Sequence, residues 1–383
     1  MKSVLSLFLF SRSMTTVATE ASSQSIIDLI VVGGGISGLV CADEARNNGL
    51  NVIVLEARDR VGGRLLSHQG IDLGGAWGFP PHERQNIKLA QRLHVPVLNQ
   101  RIDGNSFVSQ RGTMNNVGEM GGRLAPCGPE AVRFKGGYSE LPIQLANTMS
   151  SIIQLSTHVT AVELEDHDQL LRVFTQDKTE FRAKRVVMAM PPAVMANTII
   201  FTPALPAEQH RQMKNTATWC GDWCKVVAIF QTAFWRDVGA SGVVQTEGEP
   251  ISIWYEGGSG TDDELAAITG LGFGVNACGK VGQMLEGDNE LLKKFVIKSL
   301  GPAFGGEKII QEKLVAVNGK SWATDKLTYA PDASSRNYGH PLLRQKFGGI
   351  FFAGSETERM NGHVEGAIIA GQRAAKEVLE SLL

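Results

Sequence analysis

Beyond its first residues the chain has no apolar run long enough to cross a bilayer. It also lacks an excess of charge of one sign. Its 37 Lys and Arg stand against 39 Asp and Glu, a formal net charge of −2, which offers no electrostatic basis for a nucleic-acid or anionic-membrane partner. Cysteine is sparse: Cys41, Cys127, Cys220, Cys224 and Cys278 are odd in number and irregular in spacing, which argues against a disulfide framework. Cys220 and Cys224 are close enough to be ligands or a redox pair, but no second pair and no histidine cluster joins them, so two ordinary thiols and no metal site are expected. Internal repeats and low-complexity linkers are missing as well, and with no clean boundary the domains are expected to be discontinuous. Residues 1–24 differ from the rest: Lys2, the apolar run Val4 to Phe10 and a hydroxyl-rich, acid-poor stretch suit a secretory signal, an organelle transit peptide or an untargeted tail equally.

What the chain has in quantity is glycine, 43 residues, much of it clustered where backbone must turn sharply or approach a ligand. The first cluster lies in "LIVVGGGISGLV". Ile26 to Val32 reads as a buried parallel strand, Gly33 to Gly35 as a turn, and Ile36, Leu39, Val40 and Ala45 as a helical stripe that stops at Gly49. Asn51 to Glu56 is a second strand, and the whole has the length of a βαβ unit. Gly33, Gly35 and Gly38 satisfy G-x-G-x-x-G, whose glycines permit the turn, the approach of a pyrophosphate and close helix–strand packing. The pattern alone is weak. Here a strand precedes it, a helix follows, and Glu56 lies about twenty residues on, placed to accept from a ribose diol.

Further along, His158 to Glu165, Leu170 to Gln176 and Glu180 to Met190 read as three successive strands, ended by Pro191 and Pro192. Ala207 to Asn215 reads as a helix, Gln231 to Gly274 as mixed antiparallel strands and loops, and Asn289 to Leu300 as an amphipathic helix. A strand at Gly349 to Ala353 and a helix at Gly366 to Leu383 close the chain.

After Glu56 comes "ARDRVGGRLLSHQGIDLGGAWG". This second glycine block resembles the flavin-dependent amine oxidase family, and the resemblance runs through nearly the whole chain: "FKGGYSELP", "RVVMAMPP", "FWRDVGASG" and "IFFAGSETERMNGHVEGAIIAGQRAA". The "Gly-Ser-Glu-Thr" within the last is closest to the monoamine oxidase branch. The resemblance implies an α/β flavoprotein of the GR2 type, with a Rossmann-like FAD-binding domain (25–102, 134–212 and 323–383) and a smaller mixed α+β substrate domain (103–133 and 213–322). It implies FAD held by Gly33, Gly35, Ile36, Ser37, Gly38, Glu56, Ala57, Arg58, Gly63, Arg64, Gly74, Gly75, Ala76 and Trp77. Val159, Trp322, Gly354, Ser355, Glu356, Gly362, His363 and Val364 complete that set. Gly74 and Gly75 would let backbone run against the flavin ring, and the positive end of the last helix would face its pyrimidine side.

For the chemistry, the resemblance places Lys225 where relatives hold a water against the flavin and assist oxygen. The small-molecule partners it implies are an amine and oxygen, with hydrogen peroxide as a product; a homodimer stays open. Two aromatic side chains cage the amine in relatives. The matching residues here are His363, in place of a frequent tyrosine, and Tyr329. The segment after Trp322, "ATDKLTYAPDASS", has no cysteine, so FAD is expected to be non-covalent. A long helical insert of larger relatives is reduced to about Asp103 to Arg133, which leaves a shortened lid, a more open site for a bulky or unusual substrate, or a site completed by a partner. The glycine motifs are shared with oxidases or desaturases of non-amine substrates and with flavin binders of little turnover. Lys225 and the Gly-Ser-Glu-Thr run favour the amine oxidase.

Overall fold

Leu29 to Val32 is apolar at every position because both faces of the strand are buried. In the computed structural model, which describes residues 26–165, 170–248, 250–258, 265–287, 289–359 and 363–383, this strand β1 (Ile27–Val32) lies inside an eight-stranded sheet. The segment 1–24, read as a signal, a transit peptide or an untargeted tail, lies outside the described residues, as does Gly362. β1 pairs in parallel with β2 (Val52–Leu55) on one side and with Glu180–Met188 on the other. Leu29 and Val31 enter a core beneath helix α1 (Ile36–Asn47) and the last helix, Val364–Leu382. Ile30 and Val32 enter a second core with Val173, Met188 and Phe201.

The three central runs form the expected meander, Val159–Glu165, Leu170–Thr175 and Glu180–Met188, antiparallel to one another. Ile350–Phe352 then returns beside Glu180–Met188 in parallel. This delivers the last helix to the open ends of β1 and β2, beside the glycine turn. Gly33 has φ of 109°, a conformation that L side chains rarely adopt, and a Cβ on Gly38 would stand 2.0 Å from the Gly33 carbonyl oxygen. The first glycine makes the turn and the third lets the helix close on it.

The second sheet has seven strands in the order Leu314–Ser321, Trp223–Phe230, Ala266–Phe273, Ile253–Glu256, Ala240–Gln245, Asn105–Gln110 and Thr113–Asn116. The reduced segment after Asp103 is therefore a hairpin on the edge of this sheet, joined in parallel to Ala240–Gln245. Along Trp223–Phe230, Cys224, Val226, Ala228 and Phe230 point into a core with Trp235, Trp254 and Phe295, while Val227 and Ile229 meet Ile71 and Leu73 on the other face. Lys225 has the parity of Val227 and so faces the first sheet's side.

One expectation fails here. Cys224 is not an ordinary thiol: it is joined in a disulfide to Cys278 of the helix Val275–Met284, with 5.2 Å between Cα atoms. The pairing spans 54 residues and is created by packing of that helix on the strand, which short-range spacing could not reveal. Cys220 is a free thiol, as expected.

Candidate active site

The two sheets and the segment between them enclose a cavity of ≈ 590 Å³, within the usual range for a cofactor or ligand site. Every described residue expected at the site lines it except Gly38 and Tyr329. Gly38 works by packing, as above. Tyr329 is displaced: its ring lies against Gly221, where a Cβ would meet Cδ2 at 3.2 Å, and it stands outside the cavity lining.

At the glycine end, β2 stops at Glu56, which is buried. Its Oε2 accepts from Gly34 N–H at 2.6 Å and its Oε1 from Arg58 N–H at 2.9 Å. The carboxylate thus braces the glycine turn from the neighbouring strand and keeps lone pairs free toward the cavity. Ser37 Oγ accepts from Gly354 N–H at 3.0 Å, tying the start of α1 to the C-terminal segment. A Cβ on Gly35 would meet nothing within 4 Å, so bare backbone forms an open floor at the N-terminus of α1, the arrangement a pyrophosphate needs. Gly74 has a second reason to be glycine. It lines the cavity, but a Cβ there would stand 1.8 Å from the Arg64 carbonyl oxygen, so close packing of the protein on itself already demands glycine.

In the middle of the cavity Arg64 is fixed by Glu356 (Nη1 to Oε1, 2.8 Å), by Ser355 Oγ at 3.0 Å and by the Trp219 carbonyl at 2.9 Å. Burial pushes the Glu356 carboxyl up, but Arg64 and the hydrogen bonds from Arg64, Trp219 N–H and Ser355 outweigh it and hold the carboxyl below the usual value. Arg58 is likewise anchored, by Asp325 at 2.9 Å and Thr328 at 3.0 Å.

At the far end stands Lys225. It is 5% exposed, and its Nζ has no hydrogen-bond partner among the described residues. The ammonium lies 5.4 Å from the Trp77 ring and 5.8 Å from the Tyr255 ring, which supply cation–π attraction but no acceptor. Burial lowers it from 10.5 to about 8. Trp77 is held by Nε1 donating to Gln100 at 2.8 Å, and Trp322 by Nε1 donating to the Leu73 carbonyl at 2.9 Å. A buried cation without a partner is costly, and this one belongs to a residue of the cavity lining.

His363, at the start of the last helix, meets Trp219 at 5.6 Å and Phe79 at 5.9 Å between ring centroids. The ring opposed to His363 is therefore Trp219, which the sequence reading missed; Tyr329 was expected. Trp219 sits six residues before Lys225, in a loop whose path is set by Arg64 and Glu356 from elsewhere in the chain. Trp223 and Phe273, 4.6 Å apart edge to face, were also missed and add aromatic wall. Pro126, from the reduced segment, reaches the lining too.

An α/β frame that leads from a helix N-terminus to a buried, unpartnered cation through one dinucleotide-sized cavity defines a nucleotide-dependent oxidoreductase. The chain belongs to the flavin containing amine oxidoreductase family, which it matches over residues 106–379; residues 31–88 match the NAD(P)-binding Rossmann-like domain. It is 26% identical to the flavin-containing amine oxidase A of Equus caballus, an alignment covering 93% of this chain and 86% of that one. It is also 26% identical to amine oxidase B of Cavia porcellus, covering 94% and 87%. Among solved structures it is similar in fold to the cyclohexylamine oxidase of Brevibacterium oxydans IH-35A (TM-score 0.77, 21% identity, 94% and 100% covered). A putrescine oxidase redesigned in its cofactor binding is similar too (TM-score 0.75, 21% identity, 92% and 99% covered). The protein is a flavin-dependent amine oxidase, and its cofactor is FAD. The open floor at Gly35 fits the pyrophosphate of that group, and the aromatic wall with Lys225 in the same cavity lining fits its flavin ring.

Proposed function

We propose that the protein oxidises an apolar monoamine to an imine, which water converts to an aldehyde or ketone plus ammonia, and passes the electrons to oxygen to give hydrogen peroxide. FAD, when bound, accepts two electrons and the hydrogen of the amine C–H bond and makes them available to oxygen. The chain's own residues do the rest. The Arg64–Glu356–Ser355 cluster fixes the middle of the cavity. Trp219, Trp223, Phe273 and Phe79 exclude water and orient the substrate. The unpartnered ammonium of Lys225 offers a positive charge, and a donor for a water, where negative charge develops as oxygen is reduced. That orphaned ammonium is the observation that carries the reading.

The preference for a monoamine rests on the carboxylates. Among the described residues, those lining the cavity are Glu56 and Glu356, the first bonded to Gly34 and Arg58, the second to Arg64. Glu56 stands at the glycine end, where its remaining lone pairs would meet the ribose, and Glu356 is neutralised by Arg64, so neither is placed for the second ammonium of a diamine, while the wall near Lys225 is aromatic. Non-covalent FAD is supported by the thiols. Cys220 is the cysteine that lines the cavity, and burial pushes it up to about 12, so it stays a thiol and a poor nucleophile. The test is oxygen consumption and peroxide release with cyclohexylamine, benzylamine and putrescine. Turnover of the first two with equimolar peroxide supports the reading. Preference for putrescine, or turnover without peroxide, overturns it.

A further inference from the structure

Behind His363 lies a buried carboxylate that the chemistry above does not use. Glu83 precedes the helix Arg84–Arg92 and is 3% exposed, and its Oε1 lies 2.5 Å from His363 Nδ1. Its Oε2 accepts from Phe79 N–H at 3.1 Å and from Asn86 Nδ2 at 2.8 Å; Asn86 in turn donates to the Tyr138 hydroxyl at 2.9 Å. A carboxylate already accepting two N–H bonds is matched to accept a third, so the hydrogen between the two side chains sits on Nδ1. The other ring nitrogen, Nε2, then carries a bare lone pair. It has no hydrogen-bond partner among the described residues, and His363 lines the cavity between Trp219 and Phe79.

We propose that Glu83 and His363 form a dyad in which His363 Nε2 takes a proton from the substrate ammonium before the amine is oxidised. The proposal rests on the amine reading of this same site. Alkylamines arrive at neutral pH as ammonium ions, and only the free amine has the lone pair that assists loss of a hydride from the neighbouring carbon. In the step, an N–H bond of the ammonium breaks, its electron pair stays on the substrate nitrogen, and an N–H bond forms at Nε2. The resulting imidazolium is stabilised by Glu83, as a carboxylate stabilises a histidine that works as a base. Its proton has a way out, because the His363 side chain is 44% exposed. The charged groups around the ring are few. Glu83 faces it directly; Glu365, on the last helix, is committed to the N–H groups of Gln85 and Asn86 at 2.8 to 3.0 Å. Arg64 and Glu356 neutralise each other beneath Trp219, and Lys225 shares the cavity further along. His363 is thus the acceptor and Glu83 a positioning residue.

Two measurements on the holoprotein decide this. The first is the second-order rate of anaerobic flavin bleaching against pH, using the fastest amine among cyclohexylamine, benzylamine and putrescine. His363→Phe, which keeps a ring against Trp219, is expected to be slower by about 10²-fold near pH 7, with the gap narrowing as the amine loses its own proton in alkaline solution. Glu83→Gln is expected to lose about tenfold with the same narrowing, and an unchanged visible spectrum in both variants shows the site intact. The same pH dependence in wild type and His363→Phe overturns the dyad. The second measurement needs no turnover: ¹⁵N-imidazole NMR, with His363→Phe to assign the signal. In the neutral ring a protonated Nδ1 with a bare Nε2 is expected, and the opposite tautomer, with the proton on Nε2, overturns the assignment. If no amine bleaches the flavin while the NMR signature is as expected, the amine reading fails and the dyad's geometry stands.

Discussion

Lys225→Met is the most informative single change, because it should strengthen the protein while weakening its chemistry. Among the described residues the ammonium has no acceptor, and burial lowers it from 10.5 to about 8. A drop of that size corresponds to about 3 kcal/mol against the charged form. The sign follows from proton counts. Between about pH 8 and 10.5 the unfolded chain keeps a proton that the folded protein has released, so wild-type stability rises with pH across that window. Below it the folded protein carries the full cost of the buried charge. Methionine has similar length, no charge and a taste for aromatic neighbours. Offsetting the lost attraction to the Trp77 and Tyr255 rings at about 0.5–1 kcal/mol apiece leaves a gain of about 1–2 kcal/mol near pH 7. Urea unfolding of flavin-free wild type and Lys225→Met near pH 7 and near pH 10 measures it. The variant should lead at the lower pH and the lead should close at the higher. A variant less stable near pH 7, or a lead indifferent to pH, would refute the reasoning. Oxygen should reoxidise the reduced holoprotein about 10²-fold more slowly in the variant, the size of effect seen when one preorganised donor is removed.

Other consequences can be measured alongside. Arg64→Met leaves the Glu356 carboxylate buried without its cation and should destabilise by about 3 kcal/mol in urea unfolding. Since Glu356 is held below its ordinary value, its contribution to stability is present at neutral pH and should be lost as pH falls through the acid range below 4.5; Glu356→Gln should flatten that part of the stability–pH curve. Gly38→Ala places a methyl group 2.0 Å from the Gly33 carbonyl and should cost roughly 1–3 kcal/mol, with loss of flavin from the purified protein. Trp219→Ala removes the ring facing His363 and should raise the amine KM about tenfold with little change in the rate of reoxidation by oxygen. Acid precipitation should release all the flavin into the supernatant, and flavin retained in the pellet would show a covalent link.

Much of the fold could be read from the sequence because it is written locally. The βαβ unit, the meander and the helix Ala207–Asn215 each carry their own periodicity and stop signals, and the dinucleotide end of the site is one continuous glycine motif braced by an acid at the end of the next strand. What could not be read is what packing assembles from distant segments. Glu83 and His363 are 280 residues apart, and although His363 falls in the C-terminal motif, no local pattern marks Glu83 as its partner. Cys224 and Cys278 meet only because a helix folds onto a strand. Trp219 faces His363, and Tyr329 does not, because Arg64 and Glu356 fix the loop before the lysine strand while the segment after Trp322 turns toward Gly221. The second sheet likewise recruits Asn105–Gln110 in parallel beside Ala240–Gln245, a pairing no alternation of residues announces.

The most direct test is the visible spectrum of the purified protein during anaerobic addition of cyclohexylamine, followed by admission of air. The account predicts a flavin spectrum that the amine bleaches and air restores, with one peroxide formed for each flavin reoxidised. A flavin spectrum that neither cyclohexylamine nor benzylamine alters, or a protein that takes up no flavin when FAD is added, would contradict it.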